Sequence, residues 1–266
     1  MNDIEKHMRS VHSVIGSLSP EVRAMKAWRY FDLPKFISML QQKGLYFSRS
    51  DLLGDRFEGS VTRAKQKVMD LLLANPPEGK TREDVQITLD TTARFFAQLR
   101  QTIYVNCWHL GAHESMAMWS GYGGGPHGVA ISSKVAQLDE LLPDFFDNEK
   151  EVTQIYLGKV MYEDLTSETR QIPNSNNLYG PFIYKSIVHE HERELRAIFW
   201  NPIPLTMQSG LDAGHFVKVD LNRLVDRIVI SPLAGEWFCS LIKDICERYG
   251  FDFEITTSVM AMEPVF

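Results

Sequence analysis

Residues 28–59 constrain the fold most strongly, because they place two short aromatic segments on either side of one amphipathic segment. The aromatic segments, Trp28–Phe31 and Leu45–Ser48, have the length and composition of short strands. Between them, Asp32 is suited to cap a helix with a proline just inside its start, and Gly44 is suited to end that helix. The stretch therefore predicts a strand, a helix and a second strand.

Strand and helix patterns alternate irregularly along the rest of the chain, without a regular βα repeat. Such a mixture predicts an α+β fold with a central mixed or mostly antiparallel sheet and flanking helices. Residues 60–101 contain two helical patterns around the proline-rich segment Asn75–Gly79, so we expect an all-helical insertion there. Residues 1–26 predict an N-terminal helical leader suited to docking on a partner protein, ahead of a single domain over residues 27–266.

The composition is typical of a soluble protein and argues against two classes of function. The net charge of −6 is unfavourable for a general nucleic-acid binder held by a basic surface. The chain has no run of about 18 apolar residues, which argues against a spanning helix and a membrane partner. Three scattered cysteines, and an N-terminus without a signal-peptide pattern, predict a cytoplasmic protein with reduced thiols.

Arg29 is the first candidate for a binding role, because it lies among aromatic and hydroxyl side chains. A guanidinium on a short strand can hold phosphate or ribose oxygens with two parallel hydrogen bonds. A neighbouring ring, such as that of Tyr30, Tyr46 or Phe47, can stack on a flat heterocycle. The alternative interpretation is that Arg29 pairs with a carboxylate and the rings belong to the core.

The segment Glu190–Arg196 is the second candidate, because carboxylates and arginines are closely spaced in it. If residues 192–196 form a strand, Glu192, Glu194 and Arg196 lie on one face. Two adjacent carboxylates there can orient a sugar hydroxyl and stabilise an oxocarbenium-like centre, the chemistry of glycosidic cleavage. If the segment is helical instead, Glu192 and Arg196 form an i,i+4 pair on a solvated face.

Three further patterns have weaker claims to chemistry. Cys107 and His109 would share a strand face, but the apolar surroundings and the lack of a third member argue against a thiol nucleophile. Trp119 and Tyr122 lie on one side of a short helix and are suited to wall a pocket, although core packing explains them as well. The histidine pairs lack the spacing of known metal sites, so no metal is expected.

Many of these residues occur in an order that resembles a bacterial family, the domain of unknown function 2971. Three blocks carry the resemblance: Arg29 and Tyr30 with Leu45–Ser48, Asp55, Phe57 and Glu58; Met118, Trp119 and Tyr122 with Gly128 and Val129; and Lys185 with Glu192, Glu194 and Arg196. Together the blocks span most of residues 28–200. The family name implies no activity.

The same order is more loosely similar to ADP-ribosyltransferase folds. These place an arginine or a histidine on a first strand, a Tyr-Phe or Phe-Ser strand after one helix, and a glutamate, sometimes as Glu-x-Glu, much later in the chain. The resemblance implies that Glu192 or Glu194 engages the ribose of NAD and stabilises the breaking bond, while Arg29 holds a ribose or phosphate oxygen. It implies further NAD-binding residues, namely Tyr30, Tyr46, Phe47, Ser48, Trp119, Tyr122 and Arg196.

Three functions are compatible with these patterns. The first is an ADP-ribosyltransferase-like enzyme that cleaves NAD and transfers ADP-ribose to an unknown protein or nucleic-acid acceptor, as a toxin or phage-defence effector would. The alternative is a non-enzymatic sensor or protein-interaction module of a bacterial stress or defence system. A metal-dependent nuclease or other hydrolase would use Asp51, Asp55 and Glu58 instead. The spatial relation between Arg29 and the two glutamates distinguishes the enzyme from the non-enzymatic module.

Overall fold

A computed structural model describes residues 18–55, 59, 63–142, 145–147, 152–168, 178–201 and 212–262. Residues 1–17, which make up most of the predicted helical leader, lie outside these ranges. The described part of the leader contains one short helix, Pro20–Arg23, which begins after Ser19.

Helices and strands alternate irregularly along the described residues. The helices are α1 Pro20–Arg23, α2 Leu33–Gln42, α3 Arg63–Ala74, α4 Arg82–Leu99, α5 Met116–Tyr122, α6 Val135–Leu141, α7 Leu221–Leu224 and α8 Glu236–Arg248. Short 3₁₀ helices occupy Ser50–Leu52, Gly125–His127, Gly180–Phe182, Ile187–Glu192 and Val259–Ala261. The strands are β1 Lys26–Asp32, β2 Gly44–Arg49, β3 Ile103–Leu110, β4 Gly128–Lys134, β5 Phe145–Asp147, β6 Val152–Gln154, β7 Tyr156–Lys159, β8 Met161–Glu163, β9 Tyr184–Ser186, β10 Glu194–Trp200, β11 Gly214–Lys218, β12 Arg227–Ile230 and β13 Ile255–Thr257.

Nine strands of the described residues form one central sheet. Its order is β11–β2–β3–β1–β4–β12–β13, and β10 pairs with both β3 and β7. The pairings within it are antiparallel except for the parallel pair β12 and β13. The predicted α+β fold, with a mixed and mostly antiparallel sheet and flanking helices, is therefore confirmed.

The two faces of this sheet are packed differently. One face carries the main core, on which helices α2, α6 and α8 pack. The other face carries two separate apolar clusters, one around Ile103 and Phe182 and the other around Trp28 and Trp119. Successive residues of each strand alternate between the faces, as the pleat of a strand requires. The space between the two smaller clusters is where a cleft opens.

Helix α2 forms where the sequence predicts it, but it ends differently. The Asp32 carboxylate accepts a hydrogen bond of 2.9 Å from the Lys35 backbone N–H, as a helix cap does. At the other end Lys43 is the left-handed residue, with a φ of 51°, so the prediction that Gly44 caps the helix is wrong. Gly44 instead begins β2, where a Cβ would lie 2.5 Å from the Val217 carbonyl oxygen of β11.

Gly44→Ala is therefore expected to destabilise the protein by about 1–3 kcal/mol, because β2 and β11 would have to move apart. Urea unfolding would show this as a lower midpoint at an unchanged slope. Gly54→Ala is the matched control, since a Cβ at Gly54 meets nothing within 4 Å. Equal stability of the two variants would contradict the close approach of the strands.

The segment between β2 and β3 contains the two predicted helices. A capping box formed by Thr81 and Asp84 fixes the start of α4. Phe96 and Leu99, near the end of α4, pack on the apolar cluster around Ile103. The insertion is thus attached to the sheet at the end of α4. In the described part of the chain, no helix combines the length and the apolar character needed to cross a membrane.

Candidate functional site

The central sheet forks at β3. Strand β10 runs along almost the whole of one edge of β3. On the other edge, β2 pairs with the early residues Tyr104 and Val105, whereas β1 pairs with the late residues His109 and Leu110. The middle of that edge therefore has no strand beside it, and the gap lies between β1 and β2.

Side chains fill the gap left by the fork. The Arg29 guanidinium donates hydrogen bonds of 2.8 Å to the Cys107 carbonyl and 3.4 Å to the Tyr46 carbonyl. The Asn106 amide donates a hydrogen bond of 2.8 Å to the same Tyr46 oxygen. Buried carbonyls need such partners. Arg29 therefore takes the place of missing strand hydrogen bonds and forms part of the floor of a cleft.

A cleft with a volume of about 840 Å³ opens over this floor. It brings together most of the residues that the sequence singled out, namely Arg29, Tyr30, Tyr46, Ser48, Tyr122, Glu192, Glu194 and Arg196. These residues come from β1, β2, α5, β10 and the 3₁₀ helix before β10. The fold thus joins the arginine-aromatic segments to the glutamates that follow much later in the chain.

Two residues of the predicted binding set do not line the cleft. Phe47 is fully buried in the main core, because it alternates with Tyr46 and Ser48 along β2. Trp119 is buried behind the wall, with its ring centroid 5.0 Å from that of Tyr30 in an edge-on contact. Trp119 therefore supports the cleft-facing Tyr30, whereas Phe47 packs against Phe199 in the core on the opposite face of the sheet.

Glu192 and Glu194 lie in different backbone elements, so neither the strand nor the helix interpretation of residues 192–196 is fully correct. Glu192 ends the 3₁₀ helix Ile187–Glu192, and Glu194 begins β10. Arg193 between them has a φ of 43°, in the left-handed region. The strand interpretation therefore holds only from Glu194 onwards. The helical, solvated pair of Glu192 with Arg196 is wrong, because both residues are buried.

Three side chains converge on the Glu192 carboxylate. Lys185 donates to Oε2 at 2.5 Å, and the Tyr122 hydroxyl donates to Oε1 at 3.0 Å. A ring nitrogen of His189 lies 3.2 Å from Oε1, and its other ring nitrogen lies 3.6 Å from an Asp55 oxygen. Glu192 is thus oriented at the cleft wall by one cation, one hydroxyl and one imidazole.

Glu194 is held more rigidly than Glu192. Arg196 donates to its Oε2 through Nε at 2.6 Å and Nη2 at 2.5 Å, while Lys185 lies 3.3 Å from Oε1. Arg196 also donates a 2.6 Å hydrogen bond to the Phe182 carbonyl. Both Glu194 oxygens are therefore engaged by cations. Its position serves to fix Lys185 and Arg196 beside Glu192.

The surroundings move the pKa values of the two carboxyl groups in opposite directions. Burial and then the neighbouring Glu194 raise the pKa of Glu192, against the opposing effect of Lys185. Burial acts the same way on Glu194, but Arg196 and Lys185 outweigh it and hold its pKa at about 2. Environments that separate two carboxyl groups in this way commonly give them separate roles. Glu192 is the candidate reacting group, and Glu194 is the permanently charged support.

Arg29 is a cation without a carboxylate partner among the described residues. Burial lowers the pKa of Arg29 to about 10, so its guanidinium stays protonated at neutral pH. Its hydrogen bonds go to backbone carbonyls. The other cations of the cleft differ, since Lys35 pairs with Asp32 at 2.8 Å and Lys185 with Glu192. An anionic group of a ligand would neutralise Arg29, and a phosphate suits its planar fork.

Sequence patterns assign no role in this site to three residues that the structure places there. Lys185 and Asp55 stand in the resemblance without an assigned task, and the one role that the sequence patterns offer Asp55 is that of a metal ligand. The phenolic oxygen of Tyr162 accepts a 2.8 Å hydrogen bond from the Glu194 backbone N–H. The short spacing between Lys185 and the glutamates is the one sequence feature that indicates a place for Lys185 in the site. No sequence feature indicates Tyr162, because its contact with Glu194 depends on the tertiary fold.

The remaining candidates have other surroundings. Cys107 lines the floor of the cleft, and the buried His109 has a ring nitrogen 2.7 Å from a backbone carbonyl. Asp51 pairs with Arg49 at 2.6 Å, and Glu58 lies outside the described ranges. Across the described residues, no group of three or more His, Cys, Asp or Glu side chains is placed to hold a metal ion.

In comparisons with known proteins, no family model matches the chain and no curated sequence is similar to it. The function of the protein is therefore inferred from the cleft. Its main features are the Arg29 cation on the floor and the Glu192 carboxylate on the wall.

Proposed function

We propose that the protein is an ADP-ribosyltransferase-like enzyme that binds NAD in this cleft and cleaves the nicotinamide–ribose bond. The observation that carries the proposal is that Arg29 and Glu192 line the same cleft. Tyr46 and Tyr122 line it as well, with 36% and 50% of their surfaces exposed, so aromatic faces are accessible to a flat ring. A cation, exposed rings and an oriented carboxylate suit the phosphates, the flat rings and the reacting ribose of NAD, respectively.

The reaction needs a carboxylate beside the ribose of NAD. The bond from C1′ to the cationic nicotinamide ring breaks with its electron pair moving to the ring, which departs neutral. Positive charge then develops on the ribose, and the ionised Glu192 stabilises this oxocarbenium-like centre. A nucleophilic oxygen or nitrogen of the acceptor bonds to C1′ and gives up its proton to solvent water. ADP-ribose is thereby transferred to a protein or nucleic-acid acceptor.

The residues around Glu192 position it for this step. Lys185 and the Tyr122 hydroxyl hold its two oxygens in fixed directions. Glu194 and Arg196 hold Lys185 and one another in place. A carboxylate fixed in this way requires little reorganisation when the ribose becomes positively charged. The same contacts explain why a buried cluster of four charged side chains is compatible with a stable fold.

The binding half of the proposal predicts that Arg29→Gln weakens NAD affinity by at least about tenfold, because a charge-assisted contact to phosphate is lost. Nicotinamide riboside has no phosphate, so its affinity should change much less. Isothermal titration of both ligands with both proteins measures the difference. A loss that is equal for the two ligands would show that Arg29 supports the sheet and does not bind phosphate.

Arg248→Gln is the matched control for this experiment. Arg248 is exposed and pairs with Asp244 at 2.9 Å on helix α8, and it does not line the cleft. Its substitution should leave the affinities for both ligands unchanged. A similar loss of NAD affinity in this variant would attribute the effect to the net charge of the protein.

A non-enzymatic nucleotide sensor is the second candidate, and one observation favours it. Lys185, Glu192, Glu194 and Arg196 pair with each other and balance to zero net charge. Such a cluster can be a structural element that only shapes the cleft. NAD binding without any release of nicotinamide would support the sensor and reject the enzyme.

A further inference from the structure

A second, smaller cavity adjoins the cleft. The two cavities share four lining residues, namely Arg29, Tyr30, Lys35 and Tyr46. The smaller one has a volume of about 260 Å³ and lies among α2, β1, β2 and β11. That volume is below the ~300–1,000 Å³ of pockets that take a whole drug-sized ligand. It therefore suits one ring system of a ligand whose remainder lies in the larger cleft.

Two aromatic rings give this cavity its character. Tyr46 of β2 and Phe216 of β11 lie with their ring centroids 5.1 Å apart. Gly214 allows this arrangement, because a Cβ there would collide with the Tyr46 ring. Met39 and Leu45 add apolar surface. We call this cavity the aromatic chamber, after Tyr46 and Phe216.

The junction between the cavities is positively charged. Arg29 lines both of them, and its guanidinium is also 5.4 Å from the centre of the Phe31 ring in the aromatic chamber. A ligand that spans the junction would therefore place its anionic part beside Arg29. Its aromatic part would lie against Tyr46 and Phe216. The larger cleft, with Glu192, would receive the other end.

We propose that the aromatic chamber binds the purine base of a nucleotide whose phosphates lie at Arg29. The identification of that nucleotide as NAD rests on the proposed function. The adenine of NAD then occupies the chamber, the pyrophosphate lies at the junction, and the nicotinamide ribose reaches Glu192. Ser38 also lines the chamber and offers a hydroxyl to the polar edge of the base. Stacking on an aromatic side chain contributes affinity because a base presents a flat π-face to the ring.

The test compares ligands that contain and lack the purine. Affinities of AMP, nicotinamide mononucleotide and NAD are measured by isothermal titration on the wild type, Phe216→Leu and Phe253→Leu. Phe253 is a matched control, because it is partly buried, stacks on Phe251 and lines neither the cleft nor the chamber. Phe216→Leu keeps an apolar side chain on β11, and urea unfolding checks its stability.

We expect AMP to bind the wild type, and Phe216→Leu to weaken AMP and NAD by about tenfold. Nicotinamide mononucleotide should be affected by less than about twofold, and Phe253→Leu should change none of the three. The inference is overturned if AMP does not bind the wild type. It is also overturned if Phe216→Leu leaves AMP unchanged, or weakens AMP and nicotinamide mononucleotide equally.

The wild-type ligand series needs no variant, so the chamber can be tested even if Phe216→Leu is unstable. The outcomes also separate this inference from the proposed function. AMP binding that depends on Phe216, without cleavage of NAD, rejects the enzyme and keeps the chamber. Cleavage of NAD that depends on Glu192, with AMP binding independent of Phe216, keeps the enzyme and rejects the chamber.

Discussion

Glu192→Gln is expected to lower the rate of nicotinamide release from NAD by at least about a hundredfold, since the charge that stabilises the oxocarbenium-like centre is removed. Glutamine keeps the shape of the side chain and an oxygen that can accept the hydrogen bond from Tyr122. NAD affinity should therefore change by less than about threefold. Chromatographic measurement of released nicotinamide at saturating NAD reports the rate.

Glu140→Gln is the control for the Glu192 variant, because Glu140 is an exposed carboxylate that pairs with Arg223 away from the cleft. Its release rate should equal that of the wild type. Wild-type release by Glu192→Gln would contradict the role given to Glu192. A loss of NAD affinity that accounts for the whole effect would make Glu192 a binding residue.

The pH dependence of release gives a second readout for Glu192. The carboxyl group must be ionised to stabilise positive charge, and burial, followed by the neighbouring Glu194, raises its pKa. The rate should therefore fall on acidification at a pH above the ordinary glutamate value of 4.5. A rate that stays constant down to that value would contradict the assignment.

Arg196→Met is expected to destabilise the protein by about 3–5 kcal/mol, because it leaves the buried Glu194 charge with one of its two cationic partners. Urea unfolding at neutral pH measures this loss. Arg223→Met is the matched control, since it breaks an exposed Arg–Glu pair with Glu140 and should cost about 0–1 kcal/mol. Equal effects of the two substitutions would contradict the structural importance of the buried cluster.

The stability of the protein in acid should depend on the buried pair of Glu194 and Arg196. The pKa of Glu194 falls from its ordinary value of 4.5 to about 2 in the folded protein. Its contribution is therefore complete above 4.5 and is lost as the pH falls towards 2. Arg196→Met removes a main cause of this lowering. The unfolding free energy of the variant should therefore fall less than that of the wild type between pH 4.5 and pH 2. If the unfolding free energies of the two proteins fall in parallel with pH, Arg196 does not lower the pKa of Glu194.

Local sequence patterns predicted the elements that depend on local interactions. Asp32 caps α2, and the aromatic segments on either side of that helix form β1 and β2. Period-two alternation would also have placed Phe47 in the core, since Tyr46 and Ser48 on either side of it line the cleft. The aromatic ring of Phe47 suits stacking on a ligand, but its position in the strand period directs it to the core.

Other parts of the site depend on long-range contacts that the sequence does not display. The fork at β3 arises because β1 and β2 pair with different ends of that strand, and the gap between them is where Arg29 reaches the Cys107 carbonyl. The position of Glu192 depends on a left-handed conformation at Arg193, a residue type that seldom adopts it. Tyr162 reaches Glu194 from a strand far from it in sequence.

A crystal structure of the Glu192→Gln variant with bound NAD would show whether the cleft holds the dinucleotide with its reacting ribose at residue 192. We expect the C1′ atom of the nicotinamide ribose to lie beside residue 192 and the pyrophosphate to accept hydrogen bonds from Arg29. NAD bound outside this cleft, or bound with its nicotinamide ribose away from residue 192, would contradict the account. Crystals grown at saturating NAD without NAD in the cleft would contradict it equally.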